Sequence, residues 1–196
     1  MELLPIVCEQ TGERTGASIA RAEAIARGVW CQTTNVYVLN SAGEILCHQR
    51  SLTKERLPGV WMTHLGGHVG HDETYEENAG RELCEETGLT IDPASLIHWR
   101  TTRLPKARIW VAEYATLIDK PSHLLTPQSG EVEQFAWLSL EELNKQSLQN
   151  PTQWCVGTHD FSIEYSCLRA VLTAAKHKGF ITSLQPIHTW MPLGSL

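Results

Sequence analysis

The sequence predicts a layered fold of the α/β or α+β class, in which helices pack on a β-sheet. Short segments rich in β-branched and aromatic residues are interspersed along the chain with segments whose apolar residues have helical spacing. The chain has 196 residues, of which 42% are hydrophobic and 19% charged, as in ordinary globular domains. We therefore expect one domain with a hydrophobic core that needs no disulfide or metal to hold it together.

The N-terminal part predicts a turn followed by a helix. Residues 11–16 (TGERTG) are typical of a turn, and residues 17–28 (ASIARAEAIARG) predict a short helix that ends at Gly28.

The middle of the chain predicts a sheet. Residues 33–40 (TTNVYVLN) and 44–50 (EILCHQR) flank a short turn, which is typical of a hairpin. Residues 51–64 form a basic loop that contains Pro and Gly. Further strands are predicted at residues 97–104, 108–118 and 132–140.

Two helices are predicted after the last strand. Ser139 and Glu142 have the spacing of a capping box, which begins a helix over residues 140–148. Residues 161–178 have helical apolar spacing, and Gly179 would end that helix. The expected organisation is an N-terminal turn and helix (1–30), a main domain (31–148), and a C-terminal helix and tail packed on it (149–196).

Composition and charge exclude several classes of protein. A formal net charge of -6 lacks the basic surface of a duplex nucleic-acid binder. The six cysteines form no CxxC pair, so a zinc ribbon is not expected. The start MELLPIVC lacks the features of a secretory signal, and no apolar stretch is long enough to span a membrane. We expect a cytoplasmic protein with reduced thiols and no membrane partner.

Residues 66–89 (GGHVGHDETYEENAGRELCEETGL) contain seven acidic residues. Thr74 or the acidic residues before it can cap the start of a helix that ends at Gly88. On this helix, Glu82, Glu85 and Glu86 share one face because they are three and four positions apart. Adjacent carboxylates repel one another unless a cation neutralises them, and oxygen ligands suit Mg²⁺ or Mn²⁺. The spacing therefore predicts a divalent-cation site.

Two further features of this segment fit such a site. Gly66 and Gly67 allow the backbone to approach a metal or ligand closely, and a backbone carbonyl there could complete the coordination. Arg81 and Glu73 are eight residues apart and are candidates for an ion pair that orients the neighbouring groups.

The segment resembles the Nudix box, which is a Gly, five residues, a Glu, seven residues, Arg-Glu, an aliphatic residue, any residue, Glu-Glu, any residue, a Gly and an aliphatic residue. Every defined position is matched, by Gly67, Glu73, Arg81, Glu82, Leu83, Glu85, Glu86, Gly88 and Leu89. The resemblance implies the Nudix fold, a mixed β-sheet sandwiched between helices (α/β/α), with an additional C-terminal helix here.

The resemblance also implies a function, the divalent-cation-dependent hydrolysis of a diphosphate linkage in a nucleoside diphosphate derivative or related organic diphosphate. By position, Glu82, Glu85 and Glu86 would act as catalytic metal ligands, with the Gly66 carbonyl as a further ligand. The general base varies within the family. Glu82, Glu131 and Glu133 are the candidates here, and Glu133 is taken with the catalytic set.

Four residues are predicted to contact or orient the substrate. Arg50 ends a strand that leads towards the site, and its guanidinium suits a diphosphate. His68 follows the glycine pair, and Glu73 and Arg81 complete the set. The roles of His64 and His71 stay open, as does the shape of the turn at Asp72, where family members often have Gly. Family members are often dimers, so a homodimer is a candidate assembly.

Residues 9–70 more loosely resemble the branch of the family near isopentenyl diphosphate isomerase. That enzyme places a catalytic Cys immediately before a Gly-His pair, whereas Gly66 precedes Gly67 and His68 here. The missing thiol makes isomerase activity the weaker alternative. A third alternative is a catalytically silent module of the Nudix fold that binds a nucleotide.

Overall fold

The structure is a computed structural model that describes residues 2–155 and 161–177. Strands and helices intermix along the described chain, as the sequence predicts. In order they are β1 (Leu3–Val7), β2 (Arg14–Ala20), α1 (Arg21–Arg27), β3 (Cys31–Leu39), β4 (Ile45–Arg50), β5 (Trp61–Met62), α2 (Tyr75–Thr87), β6 (Ile97–Leu104), β7 (Ile109–Leu117), β8 (Val132–Leu138), α3 (Leu140–Gln149) and α4 (Ser162–His177).

The main sheet is mixed, as the resemblance implies. Its strand order is β5-β4-β3-β7-β6, and β8 pairs antiparallel with β4 along its whole length, from the Ile45–Leu138 pair to the Arg50–Val132 pair. Strands β3 and β7 are parallel, in register from the Cys31–Ile109 pair to the Leu39–Leu117 pair, and the other pairs are antiparallel. Strand β3 is buried along nearly its whole length, which is typical of a central strand covered on both faces.

Successive residues of β3 enter opposite hydrophobic cores, because side chains alternate across a strand. Tyr37 and Leu39 pack in the core that contains Leu143 of α3 and Leu168 of α4. The neighbouring residues Val36 and Val38 pack in the core that holds α2 through its residues Ala79 and Leu83. The sheet therefore lies between two helical layers, and the predicted α/β/α sandwich is confirmed.

Helix α2 begins and ends as the sequence predicts. The Thr74 side chain accepts a hydrogen bond from the Glu77 N–H, and the Glu77 carboxylate accepts one from the Thr74 N–H, which completes a capping box. Gly88 ends the helix in the left-handed conformation at φ 73°. These two signals fix the register of the acidic face on α2.

The N-terminal part differs from the prediction, because a β-hairpin precedes the helix. Residues 17–20 belong to β2, which pairs antiparallel with β1, and α1 starts only at Arg21. Ile19 packs with Leu4 and Cys31 in a small core of its own. Pairing with β1 and burial of Ile19 outweigh the local helix propensity of this segment. The division of the chain into three parts stays a prediction.

Helix α4 confirms the predicted C-terminal helix, whereas its expected end at Gly179 and the tail beyond lie outside the described residues. Within the described ranges, no helix combines the length and the apolarity that crossing a membrane would require.

Candidate active site

The acidic face of α2 runs from the protein interior to its surface. Glu86 is 4% exposed, the Glu82 side chain 14% and the Glu85 side chain 37%. This gradient arises because Leu83 anchors α2 on the sheet, and Glu86 follows it one turn later. The three predicted glutamates therefore differ in environment, and Glu86 is the one most shielded from water.

The glycine pair lies against these glutamates. The Gly66 N–H donates a hydrogen bond to Glu86 Oε2 at 2.8 Å. A Cβ on Gly67 would lie 2.4 Å from Glu82 Oε1, and a Cβ on Gly66 would lie 2.0 Å from the Thr34 carbonyl oxygen. Gly66 also has φ 144°, a conformation that residues with a side chain rarely adopt. Gly66 therefore requires glycine with this backbone, whereas a side chain at Gly67 would displace the Glu82 carboxylate.

The two glycine carbonyl groups differ in their hydrogen bonding. The Gly67 carbonyl accepts from the Thr34 N–H at 2.9 Å, which ties the loop to β3. Across residues 2–155 and 161–177, no donor is assigned to the Gly66 carbonyl. That oxygen is thus available to a ligand beside Glu86.

Arg81 connects three carboxylates, those of Glu73, Glu82 and Glu85. Its guanidinium contacts Glu73 at 2.5 and 3.1 Å, Glu82 at 3.1 Å and both carboxylate oxygens of Glu85 at 3.1 Å. The hydrogen bond from Arg81 is the main cause that lowers the pKa of Glu73 to about 2. Glu73 is therefore held as a carboxylate, and it holds Arg81 in place against the two glutamates of α2.

The inner glutamates have unusual proton affinities. Burial is the main cause that raises the pKa of Glu82 to about 7 and that of Glu86 to about 8, and the negative charges nearby add to both shifts. A divalent cation beside them would favour the charged forms and displace these protons.

The oxygen atoms of the acidic face and of the Gly66 carbonyl are chemically suited to a hard cation. In the described part of the chain, no three acidic, His or Cys side chains are already assembled as a metal-binding group. Arg81 instead engages Glu82 and Glu85, so binding a cation would redistribute these contacts. Glu82, Glu85 and Glu86 and the Gly66 carbonyl supply only oxygen ligands, which suits Mg²⁺ or Mn²⁺.

A cavity of about 710 Å³ lies beside the glycine pair, within the size range of small-molecule sites. Arg50 and His68, two of the predicted substrate-binding residues, line it. Glu73 and Arg81, predicted with them, instead contact one another and the glutamates of α2.

The cavity has a basic wall and an N-terminal wall. Lys54 and Arg56 from the loop after β4 line it together with Arg50. Arg21 and Ile25 of α1 form part of another wall. No local signal in the sequence marks the N-terminal residues as part of the site, since only the tertiary fold brings α1 to it.

The two candidate bases outside α2 differ in position. Glu131 forms an ion pair with Lys54 at 2.5 Å, and its negative charge contributes to the raised pKa of both Glu82 and Glu86. Glu133 lies at the irregularity in the β4–β8 pairing and is exposed. Glu131 is thus close enough to the inner glutamates for its charge to act on them, and the choice of the base outside α2 stays a prediction.

His64 and His71, whose roles the sequence leaves open, do not line the cavity beside the glycine pair. The His64 ring is 5.5 Å from the Tyr37 ring and lines a separate cavity of about 170 Å³. The backbone N–H of His71 donates a hydrogen bond to the Leu3 carbonyl at 2.9 Å, and the adjacent Asp72 is exposed. The turn at Asp72 is therefore linked to the N-terminal hairpin.

Comparison with known proteins agrees with this architecture. A family model described as the NUDIX domain matches residues 30–155. In solved structures, the chain is similar to DR0079 from Deinococcus radiodurans, with a TM-score of 0.63 and 26% identity, covering 76% of this chain and 90% of that one.

Two sequence relatives represent the two branches considered above. The Nudix hydrolase PA4841 of Pseudomonas aeruginosa, described as uncharacterized, is 36% identical over 131 residues, which cover 66% of this chain and 76% of PA4841. An isopentenyl-diphosphate Delta-isomerase of Corynebacterium glutamicum is 28% identical over 127 residues, or 56% of this chain and 62% of the isomerase. Because the family model covers most of the chain and a Nudix hydrolase shares more than a third of the aligned residues, this protein belongs to the Nudix family of hydrolases.

Proposed function

We propose that this protein hydrolyses the diphosphate linkage of a small organic diphosphate and that Mg²⁺ or Mn²⁺ is its cofactor. The observation that carries the proposal is the arrangement of Glu82 and Glu86 against the glycine pair, beside a cavity with a basic wall. Nudix hydrolases generally use divalent cations, which agrees with an oxygen-only donor set.

Each part of the site has a distinct proposed role. Glu82, Glu85 and Glu86, with the Gly66 carbonyl, would hold the cation, which when bound supplies positive charge to the diphosphate oxygens. Glu73 fixes Arg81, and Arg81 sets the positions of Glu82 and Glu85. Arg50 and His68 would bind the diphosphate from the cavity.

Hydrolysis requires a water molecule to attack phosphorus while the bond from phosphorus to the bridging oxygen breaks. The oxygen of the water becomes part of one phosphate product, and the bridging oxygen leaves with the other. A carboxylate must take the proton from the water. Glu131 is our preferred base because its charge acts on both inner glutamates, and Glu82 and Glu133 are the alternatives.

The cavity is large enough for a small molecule, and a substrate assay identifies the group that is attached to the diphosphate. The test is a substrate panel in Mg²⁺ containing nucleotide sugars, dinucleoside polyphosphates, NADH, ADP-ribose, dNTPs and diphosphates without a nucleoside. We expect at least one substrate to be cleaved at its diphosphate linkage, with ¹⁸O from labelled water in one of the two phosphate products. Absence of Mg²⁺- or Mn²⁺-dependent cleavage across the panel would contradict the proposal.

The alternative of isomerase activity has weaker support. Position 66, where the isomerase carries its catalytic Cys, is Gly here, and a Cβ there would meet the Thr34 carbonyl oxygen. A catalytically silent nucleotide-binding module would bind members of the panel without cleaving them. A cytoplasmic location and a homodimer stay predictions.

A further inference from the structure

Arg14 of β2 contacts the loop that precedes α2. Its Nη1 donates a hydrogen bond to the His71 carbonyl at 2.9 Å, and its Nη2 donates to the Glu73 carbonyl. One guanidinium therefore spans the turn at Asp72 and binds the backbone on both sides of it. The planar fork of Arg can make both contacts at once, which a Lys ammonium on its flexible stem cannot reproduce.

Arg14 is itself held by the central sheet. Its Nε donates to Gln32 Oε1 at 3.1 Å, and Gln32 is a buried residue of β3. The Gln32 Nε2 donates in turn to the Gly12 carbonyl at 3.0 Å, which fixes the hairpin turn. A second link joins the same elements, because the His71 N–H donates to the Leu3 carbonyl of β1 at 2.9 Å.

The same loop is held from its other side by the Glu73 side chain. Glu73 Oε2 accepts from the Gly70 N–H at 2.9 Å and from Asn78 Nδ2 at 3.1 Å. Glu73 also binds Arg81, which contacts Glu82. A continuous series of hydrogen bonds and ion pairs thus runs from the N-terminal hairpin to the acidic face of α2.

We propose that Arg14 is a positioning residue of the active site, acting through the backbone of residues 71–73 on Glu73 and hence on Arg81 and the glutamates. Arg14 lies outside residues 30–155, which the family model matches. The N-terminal hairpin is then a functional part of this enzyme, because it fixes the turn at Asp72. The inference rests on the proposed cation site for its Mn²⁺ measurements and on the proposed hydrolysis for its rate measurements, whereas hydrogen exchange tests the contact of Arg14 with the loop by itself.

The first experiment compares Arg14→Ala and Arg14→Lys with the matched control Arg27→Ala. Arg27 is an exposed residue of α1 whose ion pair is with Glu23 on the same helix, so its loss removes the same charge without touching the loop. Arg14 is exposed, so its removal leaves the hydrophobic cores intact. Circular dichroism checks that each variant is folded.

Two readouts do not depend on turnover. Mn²⁺ binding is measured by electron paramagnetic resonance, and hydrogen exchange is measured at the amides of residues 70–73. We expect Arg14→Ala to weaken Mn²⁺ binding by about 10- to 100-fold, as loss of a residue that orients metal ligands typically does. Exchange at Gly70 and Glu73 should accelerate, Arg14→Lys should recover only part of either effect, and Arg27→Ala should match wild type.

A double-mutant cycle with Glu73→Gln separates positioning from general stability. If Arg14 acts through Glu73, the two substitutions will be non-additive in Mn²⁺ affinity and in kcat/KM for any diphosphate that the wild type hydrolyses. Additive effects, or wild-type Mn²⁺ affinity in Arg14→Ala, would overturn the inference. If the wild type cleaves no diphosphate while Arg14→Ala still weakens Mn²⁺ binding, the proposed function fails and the role of Arg14 stands.

Discussion

The Gly66 N–H donates a hydrogen bond to Glu86 Oε2 at 2.8 Å, so the backbone of a loop fixes the most buried carboxylate of the site. Burial raises the pKa of Glu86 to about 8, and this N–H is among the groups that oppose the shift. The loop and the helix therefore form one unit, in which the backbone conformation at Gly66 sets the position of Glu86.

Replacing Gly67 with Ala is expected to reduce activity. The new Cβ would lie 2.4 Å from Glu82 Oε1, so the carboxylate must move. We expect weaker activation by Mg²⁺ with little loss of the folded state, measured as the Mg²⁺ concentration for half-maximal rate. Gly80→Ala in α2 is the control, since its Cβ would meet only Pro93 Cγ at 3.6 Å, and it should stabilise the helix by about 1 kcal/mol. Equal activity in the two variants would contradict the placement of Glu82.

Glu86→Gln is expected to lower kcat by roughly 10²-fold or more, because a bound metal contributes several kcal/mol to catalysis. The amide keeps an oxygen that can accept from the Gly66 N–H, so the fold should persist. Glu85→Gln should also lose turnover, although its side chain is more exposed. Steady-state rates at saturating Mg²⁺ test both variants. Wild-type rates in both would exclude them as metal ligands.

The stability of the metal-free protein is expected to fall as the pH rises from about 6.5 to 8. Burial raises the pKa of Glu82 to about 7 and of Glu86 to about 8, from an ordinary value of 4.5. In this window the folded protein therefore holds protons that the unfolded chain has released, so raising the pH favours unfolding.

Three histidines affect the stability of the fold only at a lower pH. Burial lowers the pKa of His48 to about 3 and of His64 and His68 to about 4, so these residues destabilise the fold only below their ordinary pKa of 6.5. Thermal denaturation in EDTA at several pH values measures how the stability of the metal-free protein changes with pH. A Glu82→Gln/Glu86→Gln double variant should flatten this pH dependence, and added Mg²⁺ should stabilise wild type more at pH 8 than at pH 6.5. If the stability of the metal-free wild type instead rose between pH 6.5 and 8, the burial of Glu82 and Glu86 would be refuted.

Arg50→Ala is expected to raise KM for the diphosphate substrate by about 10-fold or more, since a charge-assisted hydrogen bond contributes about 1.5–3 kcal/mol. Arg50 lines the cavity, and its Nε donates to the Arg56 carbonyl at 3.3 Å. Arg50→Lys should recover part of the affinity. Lys145→Ala is the control, because it removes a charge from α3, which packs against the other face of the sheet. An unchanged KM in Arg50→Ala would remove this residue from the substrate site.

The sequence by itself determined the elements whose signals are local. The spacing of Glu82, Glu85 and Glu86 defines one helical face, and Thr74 and Gly88 define the ends of that helix. The strands at 97–104 and 109–117 follow from their β-branched and aromatic content. Periodicity, capping and turn chemistry depend on residues a few positions apart, which is why these features could be predicted.

Only the tertiary structure decided the features that join distant parts of the chain. Pairing with β1 converts residues 17–20 into strand, and the fold brings α1 to the wall of the cavity. The difference between the proton affinities of Glu82 and Glu73, one raised and one lowered, follows from burial and from Arg81. The contacts of Arg14 with residues 71 and 73 cross more than fifty positions of sequence. Burial and long-range hydrogen bonds depend on the packed arrangement of the whole chain, so local sequence patterns do not contain them.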